Sequence, residues 1–423
     1  MKLPMNPTII ELLTKINEHG YEAYLVGGAV RDTIIGKESK DYDICTNMPL
    51  NMIKELYPNF HLMKPNNNRN TGIMRINNLE IEISTYKGKS IQEDLSNRDF
   101  TINAIALDKN GNLIDPFNGQ ESLLKKEITL IDKTGKALEE DPLRILRGIR
   151  IAARMNFEID KNTHQQMEQK AIYLKYVAPE RIYRELIQIL VTDNPAYYIR
   201  NNIIILFQIF PELAPMKDFK QHNPWHIYDV LEHTLKVLEN TPRNVFLRMA
   251  ALFHDSGKPE KFFIGQDNKG HFYGHPEASE EIFKKVAERL KMDKKTKVLV
   301  SKLIRQHDMT LPTNPEKIYE FLHLHGFDYT LMLIELKRAD NKGQNPELAN
   351  PVLEQLSILE EEYKQYILRF NNLQINSSKI AELGFQKKRI KIILDDVTKS
   401  IVIKALPNEE QSIIEYINSK YKK

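Results

Sequence analysis

The sequence predicts an α+β protein with a small mixed sheet at the N-terminal end and helices over the rest. Residues 1–137 combine one amphipathic helical segment, ELLTKINEHG, with short β-rich runs: AYLVGG, DYDICT, GIMRI and LEIEISTY. From residue 138 onwards helical periodicity dominates, without convincing strands. At 423 residues the chain exceeds what one hydrophobic core usually supports, so several domains are expected.

Composition divides the helical part into three regions. A helical neck contains DPLRILRGIRIAARM, and the region after it holds nine of the twelve histidines, which favours metal chemistry. The last region has a long charged helix and a basic cluster formed by Lys387, Lys388, Arg389 and Lys391. We therefore predict four domains, spanning residues 1–137, 138–215, 216–345 and 346–423.

Bulk properties exclude several classes of protein. The 41% hydrophobic content includes no apolar run long enough to cross a bilayer, so a membrane partner is not expected. Cys45 is the single cysteine, and the start MKLPMNPTII lacks a signal-peptide core, which together predict a reducing, cytoplasmic setting. A net charge of +3 permits a polyanionic partner without demanding one.

A glycine pair marks the first candidate site. Gly27 and Gly28 in LVGGAVRD follow a predicted strand and precede a helix expected to open near Val30. Glycine lets backbone N–H groups approach a triphosphate, and a helix N-terminus favours negative charge. Glycine pairs alone usually mark turns, so this signal needs support.

That support comes from two acidic residues in DYDICT. Asp41 and Asp43 stand two apart on a predicted strand, so both carboxylates face one side. Two convergent carboxylates suit two Mg²⁺ ions, one activating a 3′-hydroxyl and one stabilising the leaving pyrophosphate. Glu82 on a later strand is a candidate third ligand. An isolated Asp-x-Asp is usually solvated charge, but the upstream glycine turn favours a metal site.

These residues resemble a known family. LVGGAVRD, DYDICTN, RDFTINAIAL and EDPLRILRGIRIAARMNF occur in the order found in class II tRNA nucleotidyltransferases, the CCA-adding enzymes, and in bacterial poly(A) polymerases. The resemblance covers residues 20–210 and implies a DNA polymerase beta-like head. It implies metal binding by Asp41 and Asp43. It also implies nucleotide-binding positions at Gly27, Gly28, Arg31, Arg98 and Asp99. Many relatives have two arginines where this chain has Asn97 and Arg98.

The neck carries a stripe of arginines. Arg144, Arg147 and Arg150 recur every three residues on a helix predicted to begin near Pro142, with apolar residues on its other side. Such a stripe is often only a solvated face. In the family, the residues matching Asp141 and Arg144 bind the base edges of CTP or ATP, and those matching Arg147 and Arg150 bind triphosphate.

A second constellation lies among the histidines. His233, the adjacent His254 and Asp255, and Asp340 resemble the HD phosphohydrolase superfamily, in which such residues bind divalent metals. His275 and His307 would complete a binuclear site. These ligands suit Mn, Fe, Co, Ni or Zn, with a bound water as nucleophile towards a phosphate ester. The alternative is a set of buried core histidines.

The function implied is addition of C and A from CTP and ATP to the tRNA 3′ end, with Mg²⁺, beside phosphohydrolase activity of the HD domain. Domains in this order occur in CCA-adding enzymes associated with 2′-nucleotidase, 2′,3′-cyclic phosphodiesterase and phosphatase activity. The alternatives are a poly(A) polymerase, an enzyme that adds only A, or mainly a phosphohydrolase. The sequence leaves the metal identities and the oligomeric state open.

Overall fold

The computed structural model describes residues 2–39, 41–63 and 70–422. The chain forms two compact units, residues 1–209 and 210–423. The finer division into 1–137, 138–215, 216–345 and 346–423 stays a prediction. None of the helices formed by the described residues combines the length and hydropathy needed to span a bilayer.

The first unit contains a seven-stranded mixed sheet, which confirms the predicted α+β fold. Its strands are β1 (Ala23–Val26), β2 (Asp41–Thr46), β3 (His61–Leu62), β4 (Thr71–Ile76), β5 (Leu79–Thr85), β6 (Ala106–Leu107) and β7 (Leu113–Ile114). Their order across the sheet is β3-β4-β5-β2-β1-β6-β7. Strands β2 and β5 pair in parallel, whereas the other neighbours are antiparallel.

Helices surround this sheet and continue beyond it. They are α1 (Pro7–Glu18), α2 (Gly28–Ile34), α3 (Leu50–Leu56), α4 (Ile91–Ser96), α5 (Gly119–Lys125), α6 (Lys136–Glu140), α7 (Leu143–Met155), α8 (Lys161–Lys170), α9 (Pro179–Leu190), α10 (Pro195–Asn201) and α11 (Ile203–Ile209). Two 3₁₀ turns span Thr101–Asn103 and Ala171–Tyr176. Helix α1 ends where expected, because Gly20 takes φ +85°, a conformation that glycine accepts without strain.

The second unit is mainly helical. After a 3₁₀ turn (Pro211–Met216) it contains α12 (Val230–Asn240), α13 (Val245–Phe253), α14 (Lys258–Lys261), α15 (His275–Arg289), α16 (Lys294–Gln306), α17 (Pro315–His325), α18 (Phe327–Lys342), α19 (Pro346–Asn371), α20 (Ser377–Glu382), α21 (Lys387–Val402) and α22 (Glu410–Tyr421). The last three helices enclose a core of Ile380, Ile393, Val397, Ile413 and Ile417.

Four further short strands were not predicted. β8 (Glu127–Ile128) pairs in parallel with β9 (Glu158–Ile159), and β10 (Phe263–Ile264) pairs antiparallel with β11 (Gly270–His271). Strands β9, β10 and β11 correct the prediction that everything after residue 137 is helical. Each is two residues long. A strand of that length shows no hydrophobic alternation, so the sequence pattern did not reveal it.

Candidate functional site

The side chains of β2 alternate between a buried and an exposed face of the sheet, as predicted. In β2, Tyr42 and Ile44 are buried, whereas Asp41 and Asp43 are exposed. In the parallel ladder with β5, Asp43 lies opposite Glu82, so the two carboxylates share one face of the sheet. Asp43 and Glu82 both line a cleft of about 550 Å³, and Asp41 is not among its lining residues. Carboxylate oxygens on one face are the ligands that Mg²⁺ prefers.

The turn formed by Gly27 and Gly28 lies beside the sheet face that carries Asp43 and Glu82. Gly27 takes φ +70°, and a Cβ there would lie 3.1 Å from Arg98 Nη1 and 3.4 Å from Asp43 Oδ2. Any side chain at residue 27 would therefore crowd two of the predicted site residues. Gly28 opens α2, two residues earlier than predicted. Both glycines line the cleft.

Two arginines on the cleft wall are held by carboxylates that sequence reasoning missed. Arg98 Nη2 lies 3.1 Å from Oδ2 of Asp94, whose side chain is 1% exposed. Arg31 Nη2 lies 2.8 Å from Asp32 Oδ1, and Arg31 Nη1 donates to Asn103 Oδ1 at 3.2 Å. The spacing of Asp94 and Arg98, four apart at a helix end, was the available signal.

Asp99 anchors the arginine helix to the head. Its Oδ1 accepts from the Phe100 N–H at 2.9 Å and from Asn103 Nδ2 at 3.0 Å. Its Oδ2 lies 2.8 Å from Arg147 Nη2. Burial alone would raise the pKa of Asp99, but Arg147 and these hydrogen bonds bring it below its ordinary value. Asp99 is therefore ionised and holds Arg147 at the cleft.

The other members of the arginine stripe are engaged differently. Arg144 donates to the main-chain oxygens of Asn97 at 2.8 Å and Arg98 at 3.2 Å. Arg150 Nε lies 2.6 Å from Glu185 Oε2. Asp141 lies 3.7 Å from Arg181 Nη2. All of these except Glu185 line the cleft, so many cationic side chains border it. The opposite side of α7 is buried, as predicted, at Leu143, Leu146 and Ile149.

The second unit brings all six predicted histidines and aspartates together in what we call the histidine centre. His233 lies on α12, His254 directly follows α13, His275 opens α15, His307 directly follows α16 and Asp340 lies on α18. Asp255 is central, since its Oδ2 lies 3.3 Å from Nε2 of His233 and of His254, and its Oδ1 lies 3.3 Å from Nε2 of His275 and 3.7 Å from that of His307. Asp340 Oδ1 lies 3.0 Å from His233 Nε2.

Main-chain carbonyls fix the tautomer of each imidazole. Nδ1 of His254, His275 and His307 contacts the carbonyl oxygen three residues earlier, at 2.7 to 2.9 Å. Nδ1 of His233 contacts the carbonyl oxygen of Gly343 at 3.1 Å. A carbonyl only accepts, so each Nδ1 carries the hydrogen and each Nε2 presents a lone pair to the centre. This arrangement orients imidazoles as metal ligands.

The centre also has the electrostatics of a cation site. Nε2 of His275 and of His307 lie 3.2 Å apart, although both are acceptors in these tautomers. Among the described residues, buried Nε2 of His233 and of His254 have no hydrogen-bond partner. Burial disfavours a charged His254, yet Asp255 and Asp340 raise its pKa to about 10. Positive charge is therefore favoured between these atoms, and a divalent metal would supply it.

Lys258 is engaged by the protein itself. Its Nζ lies 2.7 Å from Asp255 Oδ2 and donates to Gln221 Oε1 at 2.9 Å, and the residue is 5% exposed. Lys258 therefore helps to fix the orientation of the Asp255 carboxylate.

Three family models match this chain in sequence order. Residues 23–129 match the poly A polymerase head domain, residues 156–217 match the probable RNA and SrmB-binding site of polymerase A, and residues 226–342 match the HD domain. The first match contains Asp43 and Glu82 of the cleft, the second includes Arg181 of the cleft, and the third contains the histidine centre.

Curated relatives match this chain in sequence. A CC-adding tRNA nucleotidyltransferase of Halalkalibacterium halodurans is 39% identical over 182 residues, covering 43% of this chain and 48% of the relative. The multifunctional CCA protein of Nitrosococcus oceani is 32% identical over 311 residues, covering 68% of this chain and 75% of the relative. The chain belongs to the family of CCA-adding tRNA nucleotidyltransferases. It spans about half the length of the first relative and three quarters of the second.

Solved structures confirm the fold of this family. The CCA-adding enzyme of Bacillus stearothermophilus in complex with CTP superposes with a TM-score of 0.64 at 22% identity, covering 99% of this chain and 98% of that one. The Thermotoga maritima CCA-adding enzyme complexed with tRNA gives 0.63 at 22% identity, covering 98% and 96%. The resemblance noted from the sequence motifs is therefore confirmed.

Proposed function

We propose that this member of the CCA-adding family transfers nucleotides from CTP and ATP to the 3′ end of tRNA, in a cytoplasmic setting. The observation that supports this most directly is the shared face of Asp43 and Glu82, beside the glycine turn and in one cleft with Arg144, Arg147 and Arg150. Asp41 stands on the same strand face as Asp43 and is the further metal-ligand candidate.

In this proposal each group has a separate task. Asp41, Asp43 and Glu82 would hold Mg²⁺, which makes the 3′-hydroxyl a better nucleophile and stabilises the departing pyrophosphate. The main chain at Gly27 and Gly28 leaves room for phosphate oxygens. We assign triphosphate contacts to the cationic residues, which are Arg31, Arg98, Arg147 and Arg150, with Asp99 orienting Arg147.

Base selection is assigned to Asp141 and Arg144. An aspartate accepts from the exocyclic amino group that cytosine and adenine share, and an arginine donates to their ring acceptors. Both side chains line the cleft. Their present partners, Arg181 and main-chain carbonyls, would give way to the base.

The number and identity of nucleotides added is tested with tRNAs ending at the discriminator base, at C and at CC. We expect addition of the missing C residues and a single A. Addition of C alone would make the chain like its CC-adding relative, and addition of A only to the CC end would make it an A-adding enzyme. Long A tracts would indicate a poly(A) polymerase, and no incorporation from either triphosphate would refute the transferase proposal.

We further propose that the histidine centre is a metal-dependent phosphohydrolase site. The support is that the ligand atoms of His233, His254 and Asp340, and those of His254, Asp255 and His307, lie within 4.8 Å of one another. Mn, Ni, Co or Fe suits this mixed nitrogen and oxygen ligand set, and such a metal supplies a nucleophilic hydroxide at neutral pH. Hydrolysis of 2′,3′-cyclic AMP with added Mn²⁺ or Ni²⁺ tests it, with His254→Ala as control. Equal rates in both proteins would leave the centre a structural role only.

A further inference from the structure

Three aromatic side chains form an exposed cluster on the β10–β11 hairpin, which we call the aromatic cluster. Phe263 and His271 are directly opposite each other in the hairpin, and Tyr273 follows His271 by two residues. The ring centroids of Phe263 and His271 are 5.5 Å apart, those of His271 and Tyr273 are 5.4 Å apart, and those of Phe263 and Tyr273 are 5.6 Å apart. Tyr273 is 74% exposed and Phe263 is 44% exposed.

The hairpin holds the His271 ring in place. Nε2 of His271 lies 2.9 Å from Asp267 Oδ1, which fixes the ring orientation. A Cβ at Gly265 would lie 2.6 Å from Cδ2 of His271, so a larger residue at position 265 would displace the ring. Asn268 takes φ +56° in the intervening turn, a conformation that asparagine tolerates well. Scattered exposed rings need no explanation, but a supported cluster of three does.

The aromatic cluster is continuous with the histidine centre. His271 and Tyr273 line the cavity of about 480 Å³ that also contains Asp255, His275 and Asp340. Tyr273 precedes His275 by two residues, with Gly274 between them at the start of α15. The distance from the ring of Tyr273 to the candidate metal ligands is therefore set by a very short piece of chain.

We propose that the aromatic cluster is a nucleobase subsite, so that the histidine centre takes phosphate esters of nucleosides with the base resting on Tyr273 and His271. This inference rests on the proposed phosphohydrolase function and identifies the side chains that would bind the base of its substrate. Aromatic rings bind bases through their faces, which all four bases possess, so the subsite distinguishes nucleotides from other phosphate esters without selecting one base. The short spacing to His275 suits a mononucleotide or a terminal nucleotide.

Kinetics of two esters test this subsite. We compare 2′,3′-cyclic AMP with the 2,3-cyclic phosphate of methyl riboside, which lacks a base. Tyr273→Ala should raise KM for the nucleotide by about 5- to 150-fold, the range for loss of one base–aromatic stack, and leave hydrolysis of the abasic ester unchanged. Tyr273→Phe should retain the wild-type KM. Tyr176→Ala is the matched control, because Tyr176 is 73% exposed and lies in the first unit.

A binding measurement tests the nucleobase subsite without requiring hydrolysis. The fluorescent nucleotide 2-aminopurine riboside 3′-monophosphate is added to metal-free protein in a chelator, where stacking quenches its emission. We expect quenching by the wild type and by Tyr273→Phe, and a loss of quenching in Tyr273→Ala. Unchanged quenching and unchanged KM in Tyr273→Ala would overturn the subsite. If no ester is hydrolysed but Tyr273→Ala abolishes quenching, the subsite stands and the phosphohydrolase proposal fails.

Discussion

The charged and polar groups of the N-terminal cleft have different kinds of partners from those of the histidine centre. In the cleft, arginines are already paired with acidic or carbonyl oxygens, as with Arg98 and Asp94 or Arg150 and Glu185. In the histidine centre, carbonyls hold the imidazoles from behind, and their inner nitrogens face carboxylates instead of donors. On the proposed functions, the cleft would exchange these partners for a charged substrate, whereas the histidine centre would hold a fixed cation.

The largest expected effect is the loss of nucleotide addition when an acidic residue of the cleft is replaced. The activity of the histidine centre should be unaffected. Asp43→Asn keeps the size of the side chain but removes a charge that the metal requires, so nucleotide addition should fall by at least about 10²- to 10³-fold. Hydrolysis of 2′,3′-cyclic AMP should not change. Incorporation of labelled CTP into a tRNA lacking its CCA end measures the first activity. Asp41→Asn should also lose addition.

Glu80→Gln is the matched control for Asp43→Asn. Glu80 lies on β5 opposite Asp41, but its Oε2 is 2.8 Å from Arg75 Nη2 at the surface. Its loss should cost little, since exposed ion pairs contribute about 1 kcal/mol or less. If Glu80→Gln and Asp43→Asn lowered addition equally, general damage to the sheet would explain both results.

The next largest expected effect is an increase in the stability of the second unit when metal binds. At a Mn²⁺ or Ni²⁺ concentration of about 100 times Kd, binding should add about 2.7 kcal/mol to the free energy of unfolding. For a unit of this size that raises Tm by about 5 to 10 °C. The single tryptophan, Trp225, lies in this unit, so its fluorescence reports the transition. His254→Ala should show no such shift, and an equal shift in both proteins would mean that the metal binds elsewhere.

A substitution that weakens base recognition should have a smaller effect, limited to the choice of triphosphate at the cleft. Arg144→Ala should raise incorporation of UTP and GTP relative to CTP and ATP by about 5- to 150-fold, since one bidentate base contact contributes about 1–3 kcal/mol of discrimination. Arg144→Lys should behave similarly, because lysine keeps the charge but loses the forked donors. Competition between labelled triphosphates measures the ratio. Unchanged selectivity in both variants would place base recognition elsewhere.

The sequence predicted local patterns well and side-chain partners poorly. The alternation in β2 and the buried side of α7 follow from periods of two and 3.6 residues, which any single segment displays. The ion pair of Arg150 with Glu185 and the contact of His233 with the Gly343 carbonyl depend on which elements pack together. The pair of Asp94 with Arg98 and the carbonyl contacts of His254 and His307 join residues three or four apart, and that spacing alone did not show that a contact forms. The aromatic cluster was missed because its strands are only two residues long.

The smallest effect concerns the ion pair that joins the cleft to its arginine helix. Asp99→Asn removes the partner of Arg147, whose side chain is 38% exposed, so solvent screening limits the loss to about 1 kcal/mol. The pKa of Asp99 is below its ordinary value, so its contribution is present above about pH 4 and disappears as the pH falls through the lowered pKa. Wild type and variant should therefore differ at pH 7 and converge in acid.

Hydrogen exchange of peptides covering residues 98–107 measures this difference in the first unit, which contains no tryptophan. Arg147→Met supplies the control, because in the double variant the second substitution should cost less than it does alone. A difference in protection that stays constant from pH 7 into acid would show that Asp99 acts through its hydrogen bonds to Asn103 and Phe100 and not through its charge. In that case Arg147 would be held at the cleft by packing of α7, and the exchange of ionic partners proposed for the cleft would not extend to this pair.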